Sequence, residues 1–262
     1  GGGGNGDAGA GPGAGAAACR PLRVSLSPIR VECCPDRLIQ PMRVLLEPLL
    51  GVEELQRCRA ALADPQAPWI DGASTAGWHA RGLKRNQQLD GASALHRQLA
   101  GGVEAALAAQ PLLQAATFPR RIHSLLFSRS GAGEGYGRHV DNAWMAAGRS
   151  DLSFTVFLSE PDAYAGGDLV LETSSGEEAL RLPAGHAVIY PSTQLHRVEP
   201  VTSGERLVAV GWIESRIRHA DQRELLFELD TARRALFERH GKDEIFDLIS
   251  RSYSNLLRRW DR

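Results

Sequence analysis

"HRVEPVTSGERLVAVGW" (residues 196–212) joins a histidine, a turn rich in Pro, Ser and Gly, and a run of alternating character. Successive side chains of a strand point to opposite faces, so Arg206, Val208, Val210 and Trp212 share one face. An arginine on the same face as Val and Trp points into an apolar interior, where a guanidinium requires an anion. A strand-end arginine in solvent, or one paired with Glu205 or Glu214, is the commoner fate of a lone arginine. Arg206 follows His196 by ten residues, and a β-hairpin of that length is expected to set it on the strand next to the histidine.

Working outward, residues 120–130, 151–160, 167–173, 178–183, 186–192 and 196–201 read as short β-rich runs broken by Gly, Pro, Ser and Asp. Closely spaced strands of this kind suggest a β-sandwich or barrel. Before them lie a short strand at 43–46, a helix over 52–62, a turn-rich connector, the polar run "RGLKRNQQLD" (81–90) and a helix from about Ser93 to Ala109. After Ile217 the period becomes helical. "DQRELLFELDTARRALFERHG" places Leu225, Leu226, Leu229, Leu236 and Phe237 on one stripe with Gly241 as C-cap, and a last helix runs from about Glu244 to Trp260. The expected organisation is an N-terminal tail over 1–41, an α/β support region over 42–120, a β core over 121–216 and a helical region over 217–262. The tail is nearly all Gly, Ala and Pro at its start, too poor in apolar surface to offset its ordering entropy, so disorder is expected there and Met42 is read as the natural start.

"GEGYGRHVDNAW" (133–144) holds the second chemical signal. In an extended segment His139 and Asp141 project to the same side, and glycines just before them allow a tight turn. Two polar residues in a loop are the ordinary reading of such a pair. His196 changes the balance, because two histidines and one carboxylate make up the facial triad of a non-haem Fe(II) site with three positions open. A planar Arg206 facing that site suits a dicarboxylate, which it holds through paired hydrogen bonds. The other histidines lack a carboxylate two residues on; His123, alternating with apolar neighbours, is the best spare candidate for lining a pocket.

Composition narrows the function classes. Lys and Arg total 30 against 31 Asp and Glu, a net charge of -1, without the basic excess of a nucleic-acid binder. No run of 18 apolar residues occurs, so no membrane span is expected. The four cysteines fit neither a disulfide framework nor a Cys-based zinc site, and the plain reading is a reducing, cytoplasmic setting.

With "KRNQQLD" (84–90), "HVDNA" (139–143), "FLSEPDAYAGGDLVLE" (157–172), residues 182–215 and "RRWDR" at the end, the chain resembles the Fe(II)- and 2-oxoglutarate-dependent oxygenases, and within them the PKHD-type (prolyl 4-hydroxylase-like) hydroxylases. The likeness runs from Met42 to the C-terminus. It implies a mainly β fold with flanking helices: a double-stranded β-helix (jelly roll) core with a C-terminal helical hairpin. It implies that His139, Asp141 and His196 hold Fe(II) and that Arg206 holds 2-oxoglutarate. Oxidative decarboxylation with O2 would then be coupled to hydroxylation of a small-molecule or peptidyl substrate, with L-ascorbate (vitamin C) as reductant. The family's association with bacterial iron homeostasis keeps a siderophore-related substrate open, and a non-catalytic iron- or oxygen-sensing protein on the same fold is the alternative. Related prolyl hydroxylases carry a tyrosine about ten residues before the first ligand histidine; here that neighbourhood is Phe127 to Ser130, with Ser153 and Thr155 as substitute hydroxyls beside Phe157. The C-terminal helices are expected either to cap the barrel or to pair two copies as a homodimer.

Overall fold

The computed structural model describes Gly1 and residues 42–75, 77 and 81–261. The tail expected over 1–41 falls, Gly1 apart, outside the described residues, as does His79. The first strands are β1 (Val44–Leu46), β2 (Trp69–Asp71), β3 (Lys84–Arg85), β4 (Gln87–Leu89), β5 (Pro119–Ser130) and β6 (Gly135–His139). Then come β7 (Trp144–Met145), β8 (Gly148–Arg149), β9 (Leu152–Phe157), β10 (Tyr164–Gly166) and β11 (Leu169–Thr173). The last are β12 (Gly176–Leu180), β13 (Ala187–Pro191), β14 (His196–Val198), β15 (Val201–Gly204) and β16 (Arg206–Ser215). The helices are α1 (Val52–Leu62), α2 (Ala94–Ala109), α3 (Pro111–Thr117), α4 (Ala220–His240) and α5 (Glu244–Trp260).

Two antiparallel sheets carry the fold, one in the order β1-β13-β9-β16-β5-β4-β2 and one in the order β12-β11-β14-β6-β3. Every residue of β9 is buried, yet its period of two sorts them into two layers. Leu152, Phe154 and Val156 join Phe127 and Ile213 in a core shared with Leu107 and Leu113 of the helices. Phe157 instead packs with Val188 and Val208 against Leu169 and Leu171 of the smaller sheet. Burying a Leu or Phe side chain contributes about 1.5–3 kcal/mol, so the doubly covered strands anchor both layers. Gly211 leaves room for this: a Cβ there would lie 2.6 Å from the Phe154 ring. The expected jelly-roll architecture with flanking helices is present.

The β-rich runs appear as β5, β9, β11, β12, β13, β14 and β16, and the helices expected at 52–62 and 93–109 are α1 and α2, the latter capped by the Ser93 side chain accepting from His96 N at 3.0 Å. One expectation needs correction. His196 and Arg206 do not sit on one hairpin. The turn expected at "TSGE" lies largely within β15, which leaves the smaller sheet to pair with β10, and the chain then enters the larger sheet as β16. Gly204 makes this crossing at φ +75°, where a Cβ would lie 2.2 Å from the Ala163 carbonyl oxygen.

The polar run at 81–90 links the two sheets. β3 pairs with β6 in one sheet and β4 with β5 in the other, so the chain steps between sheets at Asn86. Asn86 Nδ2 donates to Ser128 Oγ at 2.6 Å, fastening the step.

In α4 the buried residues are Arg223, Leu226, Phe227 and Asp230, while Leu225 and Phe237 of the expected apolar stripe are exposed. Two polar members of the inward stripe are tolerated because they are satisfied. Arg223 Nη1 donates to the Ile217 and Arg218 carbonyls at 2.8 and 2.9 Å, and Asp230 accepts from Arg233 and Arg234. Gly241 does end the helix, donating its N–H to Phe237 O at 2.8 Å.

Phe127 is fully buried between sheet and helices. Phe127→Ala is expected to cost about 3–5 kcal/mol of unfolding free energy in urea titration, whereas Val52→Ala, at a side chain 72% exposed, changes it by no more than about 0.5 kcal/mol.

Candidate metal centre

The two sheets converge at one end of the inter-sheet layer. β14 pairs with β6 so that His196 and His139 are direct cross-strand partners, with ring centroids 4.2 Å apart. Asp141 lies just beyond the end of β6, and Val140 between the two polar residues turns outward, 40% exposed. One ligand atom from each of His139, Asp141 and His196 lies within 4.8 Å of the others. Asp141 Oδ1 is 3.8 Å from His139 Nε2 and 3.9 Å from His196 Nε2.

Hydrogen bonds on the far side of each group fix its chemical state. His139 Nδ1 lies 2.7 Å from Gly137 O, and His196 Nδ1 lies 2.9 Å from Gln194 O. A carbonyl only accepts, so each Nδ1 carries the hydrogen, and in the neutral ring Nε2 presents a lone pair toward Asp141. Burial, then the nearby His196, pushes the His139 pKa down to about 4, keeping it neutral at physiological pH. Asp141 Oδ2 accepts from Ser153 Oγ at 2.5 Å and from Trp212 Nε1 at 3.0 Å. Ser153 Oγ lies 2.7 Å from Ser192 Oγ. These donors occupy one oxygen and leave Oδ1 to the histidines.

Aromatic rings brace the imidazoles. Tyr136 stacks on His139 with centroids 3.6 Å apart, and Tyr190 meets His196 edge-on at 5.2 Å. Trp144 takes no part; it is 65% exposed.

Across the gap stands Arg206. It, Val208, Val210 and Trp212 all face the same cleft of ≈ 680 Å³, open mouth included, as the alternation of β16 implied. Arg206 is 3% exposed, has no carboxylate within ion-pair distance among the described residues, and its Nε lacks any hydrogen-bond partner. Glu214, one of the carboxylates weighed for it, instead pairs with Arg149 at 3.2 Å. Burial pulls the Arg206 pKa down, opposed chiefly by Tyr164 and Tyr190.

His123 does not line the cleft. It is buried in β5, and its Nε2 meets Arg149 O at 2.8 Å. The substitute hydroxyls are real but divided: Ser153 serves Asp141, and Thr155 stands beside the Tyr190 hydroxyl. Tyr190 and Tyr164, on β13 and β10, had no signal beyond an ordinary strand pattern. Lys84 and Asn86 also line the cleft, and only their place in "KRNQQLD" drew attention to them.

Residues 125–214 match the model of the 2OG-Fe(II) oxygenase superfamily, and residues 221–261 match the PKHD-type hydroxylase C-terminal domain. A PKHD-type hydroxylase of Synechococcus elongatus is 52% identical over 223 residues, covering 84% of this chain and 99% of that protein. The chain belongs to the PKHD-type hydroxylases. Another PKHD-type hydroxylase, from Acaryochloris marina, is 52% identical over 219 residues, with 84% of this chain and 99% of the relative covered. Among solved structures, the non-heme alpha ketoglutarate dependent carbocyclase SnoK from nogalamycin biosynthesis shares the fold, with a TM-score of 0.50 at 15% identity over 66% of this chain and 80% of that one. In this PKHD-type hydroxylase the C-terminal family domain corresponds to α4 and α5, outside the two sheets. No helix among the described residues is long and apolar enough to cross a membrane.

Trp212→Phe removes one of the two donors to Asp141 Oδ2 while keeping an aromatic ring in place. Outer hydrogen bonds of this kind are worth about 10–100-fold in metal affinity, so Co(II) titration of the variant should show a rise in Kd of that order.

Proposed function

We propose that the protein is an Fe(II)- and 2-oxoglutarate-dependent dioxygenase that hydroxylates a small-molecule or peptidyl substrate. One observation carries this reading: two Nε2 lone pairs and a carboxylate oxygen converge opposite a buried arginine that has no protein anion. The residues fit both groups. His139, Asp141 and His196 supply the donor set of a non-haem Fe(II) site with three positions left open, and the unpartnered Arg206 Nε suits a carboxylate. Fe(II) with 2-oxoglutarate and O2 supplies oxidising power for hydroxylation, the keto acid leaving as succinate and CO2.

The chain's own residues do the rest. Gly137 O and Gln194 O hold the imidazoles in the tautomer that donates through Nε2. Ser153 and Trp212 aim Asp141. Arg206 anchors the far carboxylate of the keto acid, fixing which end meets the triad. Phe157, whose ring centroid lies 5.8 Å from the Arg206 guanidinium carbon, and Tyr190 wall that end off from water, which strengthens the charge pairing. L-ascorbate serves as reductant in this reading, the setting is the cytoplasm, and a role in iron homeostasis remains part of the proposal. The exposed Leu225, Phe237, Ile245 and Leu248 support pairing of two copies through the C-terminal helices. Sedimentation equilibrium should then give a dimer; a strict monomer removes that element.

Anaerobic addition of Fe(II) and 2-oxoglutarate should produce a visible charge-transfer band, absent in His139→Ala and Asp141→Ala. Arg206→Ala should weaken 2-oxoglutarate binding by about 2–5 kcal/mol, the cost of losing one partner of a buried charge pair; unchanged affinity would sink the assignment. Substrate-dependent succinate release then separates an enzyme from a non-catalytic iron or oxygen sensor.

A further inference from the structure

Lys84 is a second buried cation in the cleft, and neither the triad nor the Arg206 anchor uses it. It lies on β3, the edge strand of the smaller sheet, directly opposite Tyr136 of β6. It is 8% exposed, so its ammonium is held inside the cleft. Nζ donates to Thr75 Oγ1 at 2.9 Å and lies 5.3 Å from the Tyr136 ring centroid. No carboxylate lies within 4.0 Å of it among the described residues, so a group with three donors has one hydrogen bond and no ion pair.

Charge counting gives the same answer. Of the described residues that line the cleft, Lys84 and Arg206 are the cationic side chains and Asp141 is the one carboxylate, the two imidazoles serving as neutral donors when they hold a metal. A divalent metal adds two positive charges and 2-oxoglutarate removes two. One positive charge is left over, and Lys84 is the cation assigned to neither of them. Asp141 and Asp71 favour the ammonium from a distance, but neither lies within ion-pair reach of it, and Asp141 Oδ2 is taken by Ser153 and Trp212 while its Oδ1 faces the histidines. Buried charges are retained where something of opposite sign meets them.

We propose that Lys84 is the recognition point for an anionic oxygen group of the primary substrate, a carboxylate or its equivalent, seated beside the triad on the side of β3. The proposal rests on the dioxygenase reading for the place of the reaction, and it names the substrate class that reading leaves open. Thr75 and Tyr136 hold the ammonium in position: one fixes a donor, and the other offers a ring face that attracts the cation without neutralising it. The substrate's anion then completes the ion pair and sets which part of the molecule reaches the metal.

The chain contains just two lysines, Lys84 and Lys242, the second on the surface 3.2 Å from Asp247. The test uses the full chain carrying 13C at lysine Cε and loaded with diamagnetic Zn(II) and saturating 2-oxoglutarate. The probe is sodium acetate, with acetamide as the neutral control. Acetate should move the Lys84 signal saturably and leave Lys242 in place, and acetamide should move neither. An unmoved Lys84 signal, or equal drift of both lysines, overturns the proposal. Lys84→Met assigns the signal, with charge-retaining Lys84→Arg in its place should the first not fold. The variant must also keep its 2-oxoglutarate affinity in the Fe(II) charge-transfer titration; a loss of about ten-fold or more would make Lys84 a co-substrate ligand and overturn the proposal. Absence of that band in the unmodified protein counts against the dioxygenase reading itself, and is read independently of the lysine signal.

Discussion

The Asp141 carboxylate is tied across the gap between the two sheets, and the site depends on that tie. Asp141 follows β6 of the smaller sheet, yet its Oδ2 accepts from Ser153 on β9 and Trp212 on β16, both in the larger one. A loop residue thereby becomes as well positioned as a strand residue. The bonds also divide the carboxylate's labour: one oxygen belongs to the scaffold and the other faces the two Nε2 atoms. Without the larger sheet, His139 and His196 would still be cross-strand neighbours, but their third partner would swing with the loop.

The remainder of the architecture keeps those sheets at a fixed separation. Strands β9, β13 and β16 bury both faces, one under helices α2 and α3 and the other against β11. The polar groups of the cleft are tolerated because nearly all have partners; the exceptions among charged groups are Arg206, with an orphaned Nε, and Lys84, with a single hydrogen bond. In an interior that penalises unpaired charge, two under-satisfied cations among the described residues face one cleft, and the proposed ligands would complete their pairing.

Much of this was legible in the residues. The period-two pattern of β16 put Arg206 and Trp212 on an interior face, and the i, i+2 spacing of His139 and Asp141 made them a pair. The connection between His196 and Arg206 was not legible as drawn. A turn-rich run of ten residues reads as a hairpin, but Gly204 and the pairing of β15 with β10 divert the chain from one sheet to the other. The apolar stripe of α4 did not show which face turns inward: Arg223 and Asp230 are buried because their hydrogen bonds are met, while Leu225 and Phe237 stay exposed. "KRNQQLD" gave no periodic signal because its short strands belong to different sheets.

The sequence by itself determined the local geometry and the chemical inventory: which residues alternate, where helices are capped, and that two histidines, a carboxylate and an inward arginine were available. Those properties depend on neighbours a few residues away and are carried by backbone periodicity. Only the tertiary structure decided that Arg206 faces the triad from the opposite sheet, that Trp212 and Ser153 aim Asp141, that Tyr136 and Tyr190 brace the imidazoles, and that Lys84 is buried with no carboxylate in ion-pair reach among the described residues. Each of these joins residues tens of positions apart, so it follows from how two sheets register across a shared core and not from any pattern along one strand.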